Sequence, residues 1–274
     1  MKSIQGVFTN PGLTDRPFIY EVTTVSATRS FTTCLVNARQ PREPSSQPEG
    51  PYPMSDADLP LGDVCFTCLV TFKRPVPSPS EIQQDLSPWQ RYASILKSRR
   101  PDEWEPSPQA DIDAVREAFP IRGHAYFPIL DMYKVDMTAF NATKPLPEKR
   151  QLILYRLHKP LPADDDNAAT AHVLCHAFEA DRNGLIMLGN LLGYGYALGP
   201  VASLSYSFYV HVNAAPAAVM RGDGWWLQEV LWPRVSAGRG MMESRIWSPE
   251  GVHVASGYQD GIILPAVKLN KVNL

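Results

Sequence analysis

The chain has 274 residues, 44% of them hydrophobic, which is enough to build one large core or two smaller ones. Its 26 basic and 28 acidic residues leave a formal net charge of −2, which provides no electrostatic attraction to nucleic acid or to an anionic membrane. No run of about 18 apolar residues predicts a membrane span, and no N-terminal pattern is typical of a secretory signal. We therefore expect a cytoplasmic protein that binds a small molecule, with neither nucleic acid nor a membrane as partner.

The cysteines and the C-terminus were considered as a metal or redox motif and as a targeting signal. The cysteines at positions 34, 65, 68 and 175 lie in apolar surroundings, and we expect them to be reduced. Cys65 and Cys68 have the spacing of a zinc or redox motif, but in a strand-like run positions three apart face opposite sides. The C-terminal segment Lys271 to Leu274 lacks the small and basic residues of a peroxisomal targeting tripeptide. Neither feature therefore indicates a metal site or a peroxisomal location.

The first part of the chain predicts strands. Runs rich in β-branched and aromatic residues predict strands over 4–9, 18–26, 30–38 and 63–73. Segment 40–61, between the last two, is dense in proline, serine and acidic residues, which predicts a surface loop.

A helical region follows. Apolar residues at helical spacing predict a helix from Ser87 or Pro88 to about Arg99, and a second short helix is predicted over 111–118. These two helices are expected to connect the halves of the chain.

The second half predicts strands around one long helix. Strands over 126–138 and 151–157 precede a helix over 167–192, for which Asp164 to Asn167 provide a cap and a negative first turn. The remaining strands are predicted over 201–212, 225–235, 240–247 and 252–264. This order predicts an α+β fold in which an antiparallel sheet wraps around a helix.

The last two strands predict a β-hairpin that carries a glutamine. Ser248-Pro-Glu-Gly251 is strong turn chemistry. In the strand that follows, His253, Ala255, Gly257 and Gln259 share one face. A buried amide without partners costs about 1–3 kcal/mol, so Gln259 either supports a neighbouring strand or holds a polar group such as a water or a substrate. The residue type alone favours the structural role.

Three polar residues form a candidate set for chemistry. Asp181 lies in the predicted helix, Ser203 on the strand after it and Gln259 on the last strand. An ionised carboxylate can accept a proton from water, and a hydroxyl and an amide can orient that water by hydrogen bonds. Ser203 lacks the Gly-x-Ser-x-Gly pattern, so the set suits an activated water better than a covalent serine. Spacing alone leaves open the alternative that all three are structural.

Two further groups have alternative interpretations. His172 and His176 share a helix face near Glu179, which would suit a metal, but without a His-Glu-x-x-His pattern a packing role is favoured. Arg239 could contact a phosphate, although a surface role beside a strand bulge is equally compatible with its position. We expect no metal and no cofactor.

Several segments together resemble one known family. They are Phe8 to Gly12, Arg16 to Val22, Arg29 to Phe31, Phe72 to Pro75, Trp225 to Leu227, Ser236 to Gly240 and Gly251 to Gly261. They resemble the type II acyl-CoA thioesterases, whose chains contain two fused hotdog domains, and the resemblance spans nearly the whole chain.

The resemblance implies a double hotdog, in which each of two antiparallel sheets wraps a central helix. Residues 1–82 would form a truncated N-terminal hotdog, 83–122 a helical connector and 123–274 the C-terminal hotdog. The family's first hotdog opens with a strand and its central helix, and this chain starts at the strand that follows, so the first hotdog is expected to lack both.

The resemblance also implies a reaction. In the family an aspartate at the central helix, a serine or threonine on the next strand and a glutamine on the last strand orient the hydrolytic water, and Asp181, Ser203 and Gln259 occupy these positions. The implied activity is hydrolysis of an acyl-CoA thioester, with the oxyanion held by backbone N–H groups near a helix terminus. Arg239 would then contact a phosphate of coenzyme A.

Two other interpretations stay open. A hotdog without its first helix could bind or rearrange a hydrophobic, polyketide-like molecule without hydrolysis. A truncated gene product would instead show exposed apolar surface, aggregation or obligate pairing through the unfilled first sheet. In addition, we expect the protein to be a homo-oligomer.

Overall fold

Antiparallel strands make up most of the described chain. The computed structural model describes residues 1–49, 51–107, 129–161, 168–194, 198–213, 217–222 and 224–266. The strands are β1 (Ser3–Phe8), β2 (Ile19–Ala27), β3 (Phe31–Pro41), β4 (Leu61–Lys73), β5 (Glu105–Pro106), β6 (Leu130–Lys134), β7 (Gln151–Leu157), β8 (Leu198–Val210), β9 (Trp226–Ser236), β10 (Arg239–Trp247) and β11 (His253–Pro265). The α-helices are α1 (Pro88–Arg91), α2 (Ala93–Leu96), α3 (Thr138–Asn141), α4 (Ala168–Asp181) and α5 (Gly184–Leu191). None of these described helices is long and apolar enough to cross a membrane.

Most predicted strands are present close to their expected bounds, and the C-terminal hairpin is confirmed. Its turn is closed by a hydrogen bond from the Gly251 amide to the Ser248 carbonyl at 3.0 Å, and Gly251 has a positive φ of 84°. The strand predicted over 126–138 was too long, because β6 ends at Lys134. The Asp136 carboxylate accepts a hydrogen bond from the Thr138 amide at 2.9 Å, and α3 begins at Thr138.

The predicted helices differ more from the structure. The helix expected up to Arg99 is two single turns, α1 and α2, which meet at Tyr92. The helix predicted over 167–192 was wrong as one element, because the chain breaks between α4 and α5. The predicted helix at 111–118 lies outside the described residues, as does the cap expected at Asp164 to Asn167.

The first compact unit comprises Met1–Pro75 and Leu204–Ser207 of β8. Its strands are hydrogen-bonded in the order β2-β3-β4-β1, and the pairs are antiparallel. Among its described residues the only helical segment is the short 3-10 turn Met54–Asp58, which lies in the loop predicted over 40–61. No described α-helix therefore belongs to this sheet.

The second compact unit comprises Val76–Ser203 and Phe208–Leu274. Its strands are ordered β8-β11-β10-β9-β7-β6-β5, and α4 and α5 contact β10 and β11. The core of this unit contains Leu188 of α5 and three strand residues, and all four side chains are fully buried. The strand residues are Phe208, Trp232 and Ile246. The predicted α+β arrangement of a sheet packed on a helix is therefore present in this unit.

A buried ion pair attaches the α1 turn to the second sheet. Glu229 on β9 is fully buried and accepts hydrogen bonds from both terminal nitrogens of Arg91, at 3.0 and 2.9 Å. The Tyr92 hydroxyl donates to the same carboxylate at 2.9 Å, and burial, followed by the Glu229 charge, raises the pKa of Tyr92 to about 12. Removing one partner from such a pair costs about 3–5 kcal/mol, so this contact fixes the position of α1.

Candidate active site

The break between α4 and α5 determines where Asp181 lies. Asp181 is the last residue of α4, and Gly184 is the first residue of α5. Between them Asn183 adopts a left-handed conformation with φ of 58°, which asparagine tolerates better than most residues. Because of this turn, Asp181 at the end of α4 lies close in sequence to the first turn of α5. The sequence signal for the break was the Asn183-Gly184 dipeptide, a common turn pair inside an otherwise helical pattern.

Gln259 brings the three predicted site residues together. Its side-chain nitrogen donates hydrogen bonds to Asp181 Oδ1 at 2.7 Å and to Ser203 Oγ at 2.8 Å. Gln259 lies on β11 and Ser203 on the neighbouring strand β8. Because a carboxylate only accepts hydrogen bonds, its presence fixes the orientation of the amide with the nitrogen toward Asp181. Gln259 is only 4% exposed, whereas Asp181 and Ser203 are each partly exposed as whole residues.

The electrostatics of Asp181 follow from its surroundings. Burial raises the pKa of Asp181 to about 6, and the hydrogen bond from Gln259 opposes this shift because it stabilises the charged form. The carboxylate is therefore ionised at neutral pH and is a stronger proton acceptor than an exposed aspartate. Gln259 Oε1 is buried and has no hydrogen-bond partner among the described residues. This oxygen faces Gly184, since a Cβ built on Gly184 would lie 3.1 Å from it.

Gly184 and Met242 hold the helix start close to the sheet. Met242 is fully buried on β10 and lies opposite Gln259 in the strand register. A Cβ on Gly184 would overlap the Met242 sulfur and would lie 3.1 Å from Gln259 Oε1, so a larger residue here requires the Met242 side chain to move. The Trp232 indole N–H donates to the Gly184 carbonyl at 2.9 Å. The sequence analysis did not include Gly184, Met242 or Trp232 in the candidate set, because their roles depend on contacts between distant elements.

A cavity of about 630 Å³ lies in the same unit, beside α5. Its lining includes Met187 and Leu191, one and two turns after Gly184, and also Trp232. Apolar side chains of Trp104 and Met137 complete part of the wall, and charged side chains such as Lys134 and Asp136 also line the cavity. Its volume is within the range of about 300–1,000 Å³ that is typical of small-molecule sites.

Arg239 does not join the three polar residues. Its guanidinium forms an ion pair with Asp260, which raises the pKa of Arg239. Asp260 follows Gln259 on β11 and therefore points to the opposite face of the sheet. The contact between Arg239 and a phosphate of coenzyme A stays a prediction.

The two histidines on α4 have separate partners. His176 is fully buried, with Nδ1 hydrogen-bonded to the Tyr155 hydroxyl at 2.7 Å and Nε2 to the Ala218 carbonyl at 2.8 Å. Burial lowers the pKa of His176 to about 3, so the ring is neutral. His172 Nδ1 accepts a hydrogen bond from the Met220 amide at 3.3 Å. Within the described ranges, no three His, Cys, Asp or Glu residues are grouped to hold a metal.

Solved structures similar to this chain share one fold. The acyl-CoA thioesterase II TesB2 from Mycobacterium marinum has 21% identity and a TM-score of 0.59, over 96% of this chain and 80% of that chain. A tesB protein from Mycobacterium avium subspecies paratuberculosis has 14% identity and a TM-score of 0.55, over 96% and 78%. A hotdog-fold protein from Alicyclobacillus acidocaldarius has 15% identity and a TM-score of 0.54, over 97% and 79%. These similarities show the class, a hotdog fold.

The second half of the chain is similar to one known family. Residues 156–263 match the family of the acyl-CoA thioesterase C-terminal domain. This segment is therefore similar to an acyl-CoA thioesterase C-terminal domain, and it contains Asp181, Ser203 and Gln259. The resemblance inferred from the motifs is confirmed at this level. No curated protein sequence matches the chain.

Proposed function

We propose that this protein hydrolyses an acyl-CoA thioester by means of a water molecule activated at Asp181. The observation that carries the proposal is the hydrogen bonding of one amide nitrogen, on Gln259, to Asp181 at 2.7 Å and to Ser203 at 2.8 Å. This arrangement offers a proton acceptor with a hydroxyl and an amide beside it, which are the groups needed to orient a water. The match of residues 156–263 to the thioesterase family supports a thioester as the bond that is broken.

The proposed reaction proceeds by addition and elimination. The ionised Asp181 carboxylate accepts a proton from water while the water oxygen attacks the thioester carbonyl carbon. Ser203 orients the water by a hydrogen bond, and the Gln259 amide nitrogen positions both the carboxylate and the Ser203 hydroxyl. Backbone N–H groups in the first turn of α5, which lack acceptors within the helix, hold the oxyanion of the tetrahedral intermediate. The carbon–sulfur bond then breaks, and the thiolate of coenzyme A takes up the proton, leaving the free acid.

The cavity beside α5 is the proposed site of the acyl group. Met187 and Leu191 follow Gly184 on one face of α5, so an acyl chain that extends from the reacting carbonyl would meet apolar side chains. The Trp232 hydrogen bond to Gly184 joins one wall of this cavity to the helix start. These contacts support an apolar substrate portion next to the reacting carbonyl.

The double-hotdog organisation is part of the proposal. Residues 1–82 would be the first hotdog, 83–122 the connector and 123–274 the second hotdog. Strands β1 to β4 are ordered β2-β3-β4-β1, and β8 to β11 repeat this order as β9-β10-β11-β8, which supports two related halves. Location in the cytoplasm and assembly into a homo-oligomer are retained as predictions.

An assay of thiol release from a panel of acyl-CoAs tests the activity. The wild-type protein and a control variant, Asp63→Asn on an exposed position of β4, should release thiol from at least one acyl-CoA. Asp181→Asn should release none above background while its circular dichroism stays unchanged.

The alternative predicts a different outcome of the same assay. Absence of thiol release from any chain length by the wild-type protein, together with tight binding of an apolar ligand, would overturn the proposal. That result would favour a hotdog that binds or rearranges a hydrophobic, polyketide-like molecule.

A further inference from the structure

A second buried glutamine holds the end of the helix that carries Asp181. Gln228 on β9 is fully buried, and its side-chain nitrogen donates a hydrogen bond to the Glu179 carbonyl at 2.8 Å. The last carbonyls of an α-helix have no donor within the helix, so they accept hydrogen bonds from other groups. Glu179 lies two residues before Asp181 on α4. Gln228 therefore binds the backbone of the turn that carries the Asp181 carboxylate.

An ion pair holds the side chains of the same turn. The Glu179 carboxylate is fully buried and accepts hydrogen bonds from Arg182 Nε and Nη2, both at 2.9 Å. Arg182 also donates to the carbonyl and to the hydroxyl of Ser107, both at 3.2 Å. This pair connects the turn to the segment after β5, whereas Gln228 connects it to the sheet. The last turn of α4 is thus attached on two sides.

Two glutamines reach this turn from the strands on either side of β10. On β10, Ile246 lies opposite Gln228 of β9, and Met242 lies opposite Gln259 of β11. Residues an even number apart on a strand share a face, so both glutamines lie on the same face of the sheet. Gln259 binds the Asp181 carboxylate at 2.7 Å. The turn is therefore held between two buried amides, one on its backbone and one on its catalytic candidate.

Stability alone does not favour a glutamine at position 228. A carbonyl only accepts hydrogen bonds, so the Gln228 nitrogen has to face the Glu179 carbonyl. Gln228 Oε1 is then buried without a hydrogen-bond partner among the described residues. Such an acceptor carries a desolvation cost that an apolar side chain of similar size, for example methionine, avoids. A locally unfavourable residue of this kind is typical of a functional site.

We propose that Gln228 is a positioning residue, which fixes the last turn of α4 so that the Asp181 carboxylate stays within hydrogen-bond reach of Gln259. This inference rests on the proposed function in that Asp181 is taken as the base. The Gln259 hydrogen bond lowers the pKa of Asp181, against the larger effect of burial. When the turn loses its attachment to Gln228, this bond lengthens and the pKa of Asp181 rises further above its ordinary value.

The carboxyl carbon-13 signal of Asp181, followed by NMR over a pH series, tests the proposal without any measurement of turnover. The signal is assigned by its loss in Asp181→Asn. In Gln228→Met, which has a similar volume and no donor, the titration midpoint should rise by about 0.5 pH unit or more. The control Val230→Ala shortens a fully buried side chain two residues further along β9 and removes no hydrogen bond. It should lower stability and leave the Asp181 midpoint unchanged.

A double variant distinguishes positioning from a general loosening of the fold. Because Gln228 acts through Gln259, Gln228→Met should add no further shift once Gln259→Leu has removed the hydrogen bond to Asp181. Gln228→Leu is a second apolar variant in case methionine prevents folding.

Three results overturn the proposal. They are an Asp181 midpoint that stays at the wild-type value in a folded Gln228 variant, an equal shift in Val230→Ala, and a further shift in the double variant. A wild-type protein that releases no thiol would instead contradict the proposed hydrolysis, and the carboxyl titration would still decide the role of Gln228.

Discussion

The two four-stranded sets of this chain have the same order but different surroundings. In the second unit, β8 to β11 lie against α4 and α5, and β9 gains a further partner in β7. In the first unit, β1 to β4 have no α-helix among the described residues, and β2 remains exposed along its length. The same strand order therefore includes a buried strand, β9, in the second unit and an exposed strand, β2, in the first.

The difference extends to chemistry. The covered unit contains Asp181, whose raised pKa depends on burial, and Gln259, which is held between two elements. A helix packed on a sheet creates a low-polarity junction where a carboxylate becomes a better base. The first unit has no such junction among its described residues.

The largest expected effect is on turnover by the covered unit. Asp181→Asn should lower kcat/KM by about 10²–10⁴-fold, the usual contribution of a general base. In the wild-type protein the activity should rise with pH and level off above a midpoint near 6, because only ionised Asp181 accepts the proton. Thiol release measured over a pH series checks both statements. Full activity of the folded variant would remove Asp181 from the mechanism.

Truncation of one side chain to alanine in each unit compares the stability that a buried and an exposed residue provide. Leu188→Ala on α5, where the side chain is fully buried, should reduce the free energy of unfolding by about 2–5 kcal/mol. Val22→Ala on β2, where 63% of the side chain is exposed, should change it by at most about 0.5 kcal/mol when the protein is monomeric. Urea unfolding of dilute samples measures both. Similar costs at the two sites would mean that β2 is covered in solution.

A smaller effect is expected at the contact between α5 and the sheet. Gly184→Ala forces the Met242 sulfur away from the helix start and should cost about 1–3 kcal/mol by overpacking. Because Gln259 Oε1 lies at the same point, kcat should fall while KM changes little. Steady-state kinetics and thermal unfolding check this pair of outcomes. Gly193→Ala is a useful control, since a Cβ there meets nothing within 4 Å although its φ of 71° adds local strain.

The stability of Asp181→Asn should depend on pH. The pKa of Asp181 is raised in the folded protein, to about 6 from an ordinary value of about 3.9, so the folded state binds this proton more tightly. The wild type therefore loses stability as pH rises from about 4 to 6. Asparagine cannot ionise, so between pH 4 and pH 7 the variant should gain about 2–3 kcal/mol of stability relative to the wild type. Unfolding at pH 4 and pH 7 checks the sign, and a difference that shrinks with rising pH would contradict it.

The sequence predicted much of the local structure and all three members of the candidate site. Alternation and turn residues located the strands and the final hairpin because these signals are local. Asp181, Ser203 and Gln259 were grouped by their chemistry, and the family resemblance favoured a catalytic role for them, since their spacing along the chain does not show that they meet. Gly184 was missed because an apolar helical pattern continued through the Asn183-Gly184 pair. The contacts of Met242 and Trp232 with Gly184 join residues far apart in sequence, so no local pattern could indicate them.

The hydrogen bond from the Trp232 indole to the Gly184 carbonyl also provides a built-in spectroscopic probe. The chain has six tryptophans, so its NMR spectrum should contain a small set of indole N–H signals in which the Trp232 resonance can be assigned by substitution. Because this proton is bonded to the helix start at 2.9 Å, its chemical shift and exchange rate report on that junction directly. Titration with a non-hydrolysable acyl-CoA analogue would then reveal whether ligand binding reaches α5, without any measurement of turnover.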